Sequence, residues 1–182
     1  MEAVARFGFE LGVLKRIRRA GWWQAGVRDP ESVAEHTTRV AQLAGLLAAE
    51  GGADPARAAY LALWHDTQET RTGDLPHTIK GFVEKPDPRA ITAAQTSALP
   101  GAARDSVRDA VDEYEAAESH EALYARDADK LEMLLQALEY RDVGVRNVDE
   151  WIASATKSLQ TDLARGVAEA ALTLSSLSWR VR

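Results

Sequence analysis

His36, His65 and Asp66, with Glu69 and Asp74 close behind, are the residues whose types and spacing could do chemistry. Imidazole and carboxylate donors in this mixture bind divalent transition metals or move protons. His65 and Asp66 follow the apolar run Leu61-Ala62-Leu63-Trp64, which draws that end of the segment into the core. From His65 to Asp74, four groups able to bind metal or carry a proton fall within ten residues. Burying so many ionisable groups is costly unless they coordinate a metal or pair with one another. A solvated helix end with a turn explains Gly73 and Pro76, but not the apolar lead-in.

His36 shares a helical face with Val40, Leu43 and Leu47, at offsets of four, seven and eleven. Taken alone, a histidine on such a stripe is more often a core residue than a ligand. The stretch from Arg126 to Leu135 offers a further carboxylate, and here two aspartates compete. Asp127 lies on the apolar stripe of Leu131, Leu134, Leu135 and Leu138, whereas Asp129 points away with Met133, Gln136 and Tyr140. Periodicity favours Asp127. A helix with Leu, Met, Ala and Tyr on several faces is buried nearly all round, however, so either aspartate could face a metal.

The elements that must position these groups are helices. Val4, Phe7, Leu11, Leu14 and Ile17 recur at three- and four-residue steps, predicting a first helix that ends near Gly21. Ser32 and Glu35 are spaced as a capping box, opening a helix that runs to Gly51-Gly52. Asp54-Pro55 starts the next, predicted through about Thr70 and broken by Thr72 to Pro76. Further helices are expected around 89–98, 103–118 and 120–142, with one or two beyond. Alternating β-branched runs and Asn-Gly hairpin signals are absent. The expectation is an all-α fold, one domain over residues 1–182, and not an up-down bundle of equal helices.

Composition sets the outer bounds. At 182 residues, 46% hydrophobic and 27% charged, the chain can bury a core. With no cysteine, any metal must sit on imidazole and carboxylate. A formal charge of -6 argues against duplex-DNA binding. No apolar stretch would span a bilayer and no signal-peptide order opens the chain, so a cytoplasmic protein without membrane contact is expected. Residues 1–30 run against the overall charge, holding Arg6, Lys15, Arg16, Arg18, Arg19 and Arg28 against Glu2, Glu10 and Asp29. That is either a solvated helix face or a basic edge for a small anionic ligand.

An isolated histidine in Glu31-Ser32-x-x-Glu35-His36, then His65-Asp66-x-x-Glu69-x-x-x-Gly73-Asp74-x-Pro76, then Ala128-Asp129-Lys130-Leu131, resembles the HD-domain 5′-deoxyribonucleotidases. The likeness runs from about Leu14 to Tyr140 and is nearest the branch containing the human HD-domain-containing protein 2. It implies an HD-type helical fold, a homodimer, one divalent transition metal and hydrolysis of deoxyribonucleoside 5′-monophosphates. It places the metal on His36, His65, Asp66 and Asp129, since Ala128 to Met133 match the family register. Glu69 and Asp74 fall on its catalytic pair, Trp22 on its sugar-discriminating tryptophan, and Lys80 on a phosphate contact. One departure matters: bacterial members carry the phosphate-binding arginine where this chain has Gly21, and Arg19 is the candidate replacement.

Two imidazoles and two carboxylates suit Mn²⁺, Co²⁺ or Zn²⁺, with Fe, Ni or Cu also in range, better than Mg²⁺. Of the tandem tryptophans, Trp23 is expected to be the packing residue. His120 keeps a dinuclear site open, although a position at the start of the 120–142 helix explains it as well. Other functions also fit: an HD phosphohydrolase for cyclic nucleotides, nucleoside triphosphates or alarmones; a non-catalytic metal- or nucleotide-binding module; or a bundle without metal.

Overall fold

The computed structural model describes residues 1–79 and 81–180. In chain order its helices are α1 (Glu2–Leu11), α2 (Ala20–Gln24), α3 (Val33–Glu50), α4 (Pro55–Trp64), α5 (Glu69–Thr72), α6 (Pro88–Gln95), α7 (Gly101–Ala116), α8 (His120–Asp142), α9 (Asp149–Ser158) and α10 (Asp162–Thr173). Short 3₁₀ turns occupy Gly12–Lys15, His77–Ile79 and Ser178–Arg180. The fold is all-α; the described residues hold no strand, only an isolated antiparallel bridge between Arg18 and Ser32. No described helix is long and apolar enough to cross a membrane.

Several starts follow local chemistry. Ser32 and Glu35 form the reciprocal capping box that opens α3. The Asp54 carboxylate accepts from the amides of Ala56 and Arg57, with Pro55 in the first turn of α4. Ser119 caps α8 by accepting from the Ala122 amide.

Helices α3, α4 and α8 pack on one another, and α7, α9 and α10 close around α8. Val40, Leu61, Leu131 and Leu134 are fully buried among them. Each such side chain contributes about 1.5–3 kcal/mol by leaving water. Helix α8 is indeed buried on several faces: Asp127, Leu131, Glu132 and Leu134 all lie inside.

Two boundaries differ from the sequence expectation. The first helix stops at Leu11 and a 3₁₀ turn follows, instead of running towards Gly21. The reason is tertiary: the Arg19 amide donates to the Glu31 carbonyl at 3.0 Å, and the Val33 amide to that of Ile17 at 2.9 Å. Those bonds compete with a helix, and glycines at 8 and 12 weaken its resistance. Likewise α4 ends at Trp64, not Thr70. Bonds from the amides of Thr67 to Trp64 and of Glu69 to Asp66 tighten the chain there before α5 begins.

Candidate active site

The tight turn between α4 and α5 holds His65 and Asp66, so neither is on a regular helix. His36 comes from the first turn of α3, and Asp129 from the middle of α8. Their meeting follows from the mutual packing of α3, α4 and α8. The donor atoms of His36, His65 and Asp66 all lie within 4.8 Å of one another. His36 Nε2 is 3.3 Å from Asp129 Oδ1 and 3.6 Å from Asp66 Oδ2. His65 Nε2 is 3.1 Å from Asp66 Oδ2 and 4.0 Å from Asp129 Oδ1.

The far side of each imidazole is committed. His65 Nδ1 lies 2.6 Å from the Ala62 carbonyl, which can only accept, so the proton is on Nδ1. His36 Nδ1 lies 2.5 Å from Glu132 Oε2. Both Nε2 atoms are then buried without a hydrogen-bond partner, because the nearby carboxylates are close but out of line. Buried imidazole nitrogens that converge on carboxylates without a hydrogen-bond partner fit a metal-ligand set. Glu31, His36 and Glu132 also bring donor atoms within 4.8 Å. That rear cluster is already satisfied, by the Trp22 indole on Glu31 and by His36 and Arg39 on Glu132.

The two aspartates of α8 separate cleanly. Asp127 is fully buried and accepts from the amides of Gln160 and Thr161 and from the Thr161 hydroxyl. It anchors the start of α10. Asp129 faces the two histidines instead, with Lys130 Nζ 2.7 Å from its other oxygen.

The charge balance favours a cation. Burial pushes Asp66 and Asp129 up, yet His65, Arg19 and His36 hold the Asp66 carboxyl well below the usual range, and Lys130, His36 and His65 do the same for Asp129. Desolvation and Arg19 push His36 down, but the neighbouring Asp129 and Glu132 carboxylates overcome them and lift it to about 9. Glu69 moves the other way: burial, then the charges of Asp66 and Asp74, raise it to about 10. Its Oε2 is buried without a partner.

Arg19 reaches the site. Its Nη1 is 3.2 Å from Asp74 Oδ1 and 3.5 Å from Asp66 Oδ2. Asp74 is also fixed by the Ala20 amide at 2.5 Å, and Gly73, at φ +70, supplies the turn that brings it there. At Gly21 a Cβ would stand 3.1 Å from the Trp151 indole nitrogen, so a larger residue there would force Trp151 to shift. The guanidinium two residues earlier escapes that crowding.

The tandem tryptophans exchange the places expected of them. Trp22 is 2% exposed, donates to Glu31 Oε1 at 2.9 Å and packs on Tyr140 and Trp151; Trp23 is 54% exposed. Trp22 therefore presents no open face in this conformation. Lys80 lies outside the described residues. His77 and His120 are exposed and join no metal-binding group among the described residues.

Sequence inspection gave no role to Glu132 or Arg39. The available signal was spacing: each lies three residues after a ligand candidate, Asp129 and His36, on the same helix. Tyr114, whose ring lies 5.3 Å from that of His65, had no such cue.

The HD domain family model matches residues 11–171. The 5′-deoxynucleotidase HDDC2 of Mus musculus is 35% identical over 140 residues, 76% of this chain and 70% of that protein. Its namesake from Dictyostelium discoideum is 37% identical over 139 residues, 71% of this chain and 73% of its own. Among solved structures, a conserved hypothetical protein from Pyrococcus furiosus is similar at TM-score 0.76 and 31% identity, covering 93% of this chain and 99% of that one.

Proposed function

The chain belongs to the HD domain family, and from that premise we propose that it is a metal-dependent 5′-nucleotidase converting deoxyribonucleoside 5′-monophosphates into deoxyribonucleosides and phosphate. The observation that carries this reading is the convergence of unpartnered His36 and His65 Nε2 atoms with Asp66 and Asp129. The named activity of the 35% and 37% identical relatives supports the substrate class.

His36, His65, Asp66 and Asp129 would hold one divalent ion, with Mn²⁺, Co²⁺ or Zn²⁺ best suited to the donors. Such an ion would supply polarisation of a phosphoryl oxygen and a lowered pKa for water. The chain's own groups handle charge and protons. Arg19, held by Asp66 and Asp74, offers its guanidinium to the phosphate, and Lys80 is a second phosphate contact on the same reading. Glu69 takes up the proton that water releases as it attacks phosphorus. The bond from phosphorus to the 5′-oxygen breaks, and Glu69 passes the proton it took from water to the leaving oxygen, which restores its carboxylate. Asp74, pinned by Ala20 and Arg19, works at the sugar end of the site. Trp22 is buried on Glu31, and its amide donates to the Arg19 carbonyl at 3.2 Å; on this reading it influences sugar choice by holding the Arg19–Ala20 segment, not as an exposed gate. The assembly on this reading is a homodimer, which sedimentation velocity tests.

The test of function is phosphate release from a panel of deoxy- and ribonucleoside monophosphates, triphosphates and cyclic nucleotides. The protein is first stripped by a chelator, then restored with one metal at a time. Release from deoxyribonucleoside monophosphates that returns only with a transition metal is expected. Release confined to triphosphates or cyclic nucleotides, or indifferent to metal, would overturn the assignment.

A further inference from the structure

We infer that Glu132 and Arg39 are positioning residues that hold His36 as the tautomer able to bind a metal through Nε2; the inference rests on the metal site proposed above. His36 is completely buried, and its ring can turn or shift its proton unless something prevents it. Glu132 Oε2, 2.5 Å from Nδ1, keeps the proton on that nitrogen and aims Nε2 at Asp66 and Asp129. Such outer carboxylates typically strengthen metal binding by roughly 10- to 100-fold.

Glu132 is itself constrained. Its other oxygen, Oε1, accepts from Arg39 Nε at 3.0 Å and Nη2 at 2.8 Å, a two-pronged grip. Arg39 is braced in turn by Glu139 Oε1 at 2.7 Å and Gln136 Oε1 at 2.8 Å. His36 and Arg39 sit one turn apart on α3, while Glu132, Gln136 and Glu139 line one face of α8. Two helices thus fix one proton through five side chains. Arg39 touches no ligand atom of the proposed site, so it acts only through Glu132.

Three variants of the full chain test this: Glu132→Gln, Arg39→Ala and the double variant. Co²⁺ dissociation constants from chelator competition and the visible Co²⁺ absorption spectrum are the readouts, beside circular dichroism. Glu132→Gln should weaken Co²⁺ roughly 10-fold or more and alter the spectrum. Arg39→Ala should weaken it less, and the double variant should match Glu132→Gln alone. Co²⁺ affinity within twofold of wild type in Glu132→Gln, or additive losses in the double variant, would overturn the proposal. If Glu132→Gln fails to fold, ¹⁵N NMR of the Zn²⁺-loaded wild type decides the matter: the proton of His36 must be on Nδ1, and finding Nδ1 metallated sinks it. Wild type that binds neither ion fails the metal reading itself, a result distinct from tight binding that ignores Glu132.

Discussion

At Glu69, burial and the charges of Asp66 and Asp74 raise the carboxyl to about 10. Positive charge brought beside those aspartates pulls it back towards neutrality, the range a proton-transfer group needs. Glu69→Ala should therefore retain metal while turnover falls roughly 10²-fold or more. Parallel measurements of kcat and metal content check this, and an unchanged kcat would make Glu69 structural. The tryptophans make a second contrast at this scale. Trp22 is 2% exposed with its indole N–H paired, whereas Trp23 is 54% exposed. Trp22→Ala should destabilise by roughly 3–5 kcal/mol, and Trp23→Ala by less than about 0.5 kcal/mol. Urea denaturation of both measures the difference; equal losses would contradict the packing described.

Single helices serve several ends at once. Along one stretch of α8, Asp127 anchors α10, Asp129 faces the histidines and Glu132 braces His36. The short α5 depends on outside support. Glu10 of α1 accepts from Arg71 Nε at 2.7 Å, and from Thr70 and from Gln95 of α6. The bond from Arg71, outweighing partial burial and helped by Gln95, holds the Glu10 carboxyl below its ordinary 4.5. A group lowered in the folded state adds stability above its unfolded pKa, and that addition disappears as pH falls through the folded value. Glu10→Gln should thus be less stable than wild type near neutral pH, with the gap closing below about 4.5. Urea midpoints for both proteins across that range test it; a gap that widens on acidification would refute the clamp.

Over the whole molecule, α3, α4 and α8 are both the core and the frame of the site. A cation bound by residues from all three segments favours the folded chain over the unfolded one. At about 100 times its dissociation constant it should add about 2.7 kcal/mol. For a chain of this length that corresponds to a rise in Tm of about 5–10 °C. His65→Ala should abolish the rise, because it removes a buried donor. Thermal melts with and without Co²⁺ measure this, and an equal rise in His65→Ala would remove His65 from the ligand set.

Local chemistry by itself determined much. The Ser32–Glu35 and Asp54–Pro55 starts, the long helix from residue 120 and the all-α class rest on caps and periodicity acting over a few residues. The concentration of His65, Asp66, Glu69 and Asp74 was equally legible. Tertiary structure decided the rest. Pairing of residues 17–19 with 31–33 ended the first helix, although Phe7 and Leu14 do bury as its periodicity predicts. Periodicity places Asp127 and Asp129 on different faces of α8 but cannot say what occupies those faces. The α10 start took one, and the histidines of α3 and the α4–α5 turn met the other. Trp22 and Trp23 are adjacent and chemically identical, so only the approach of Tyr140 and Trp151 determines which is buried. A helix carries a side chain's type and angular position; what that side chain meets depends on segments far away in the chain.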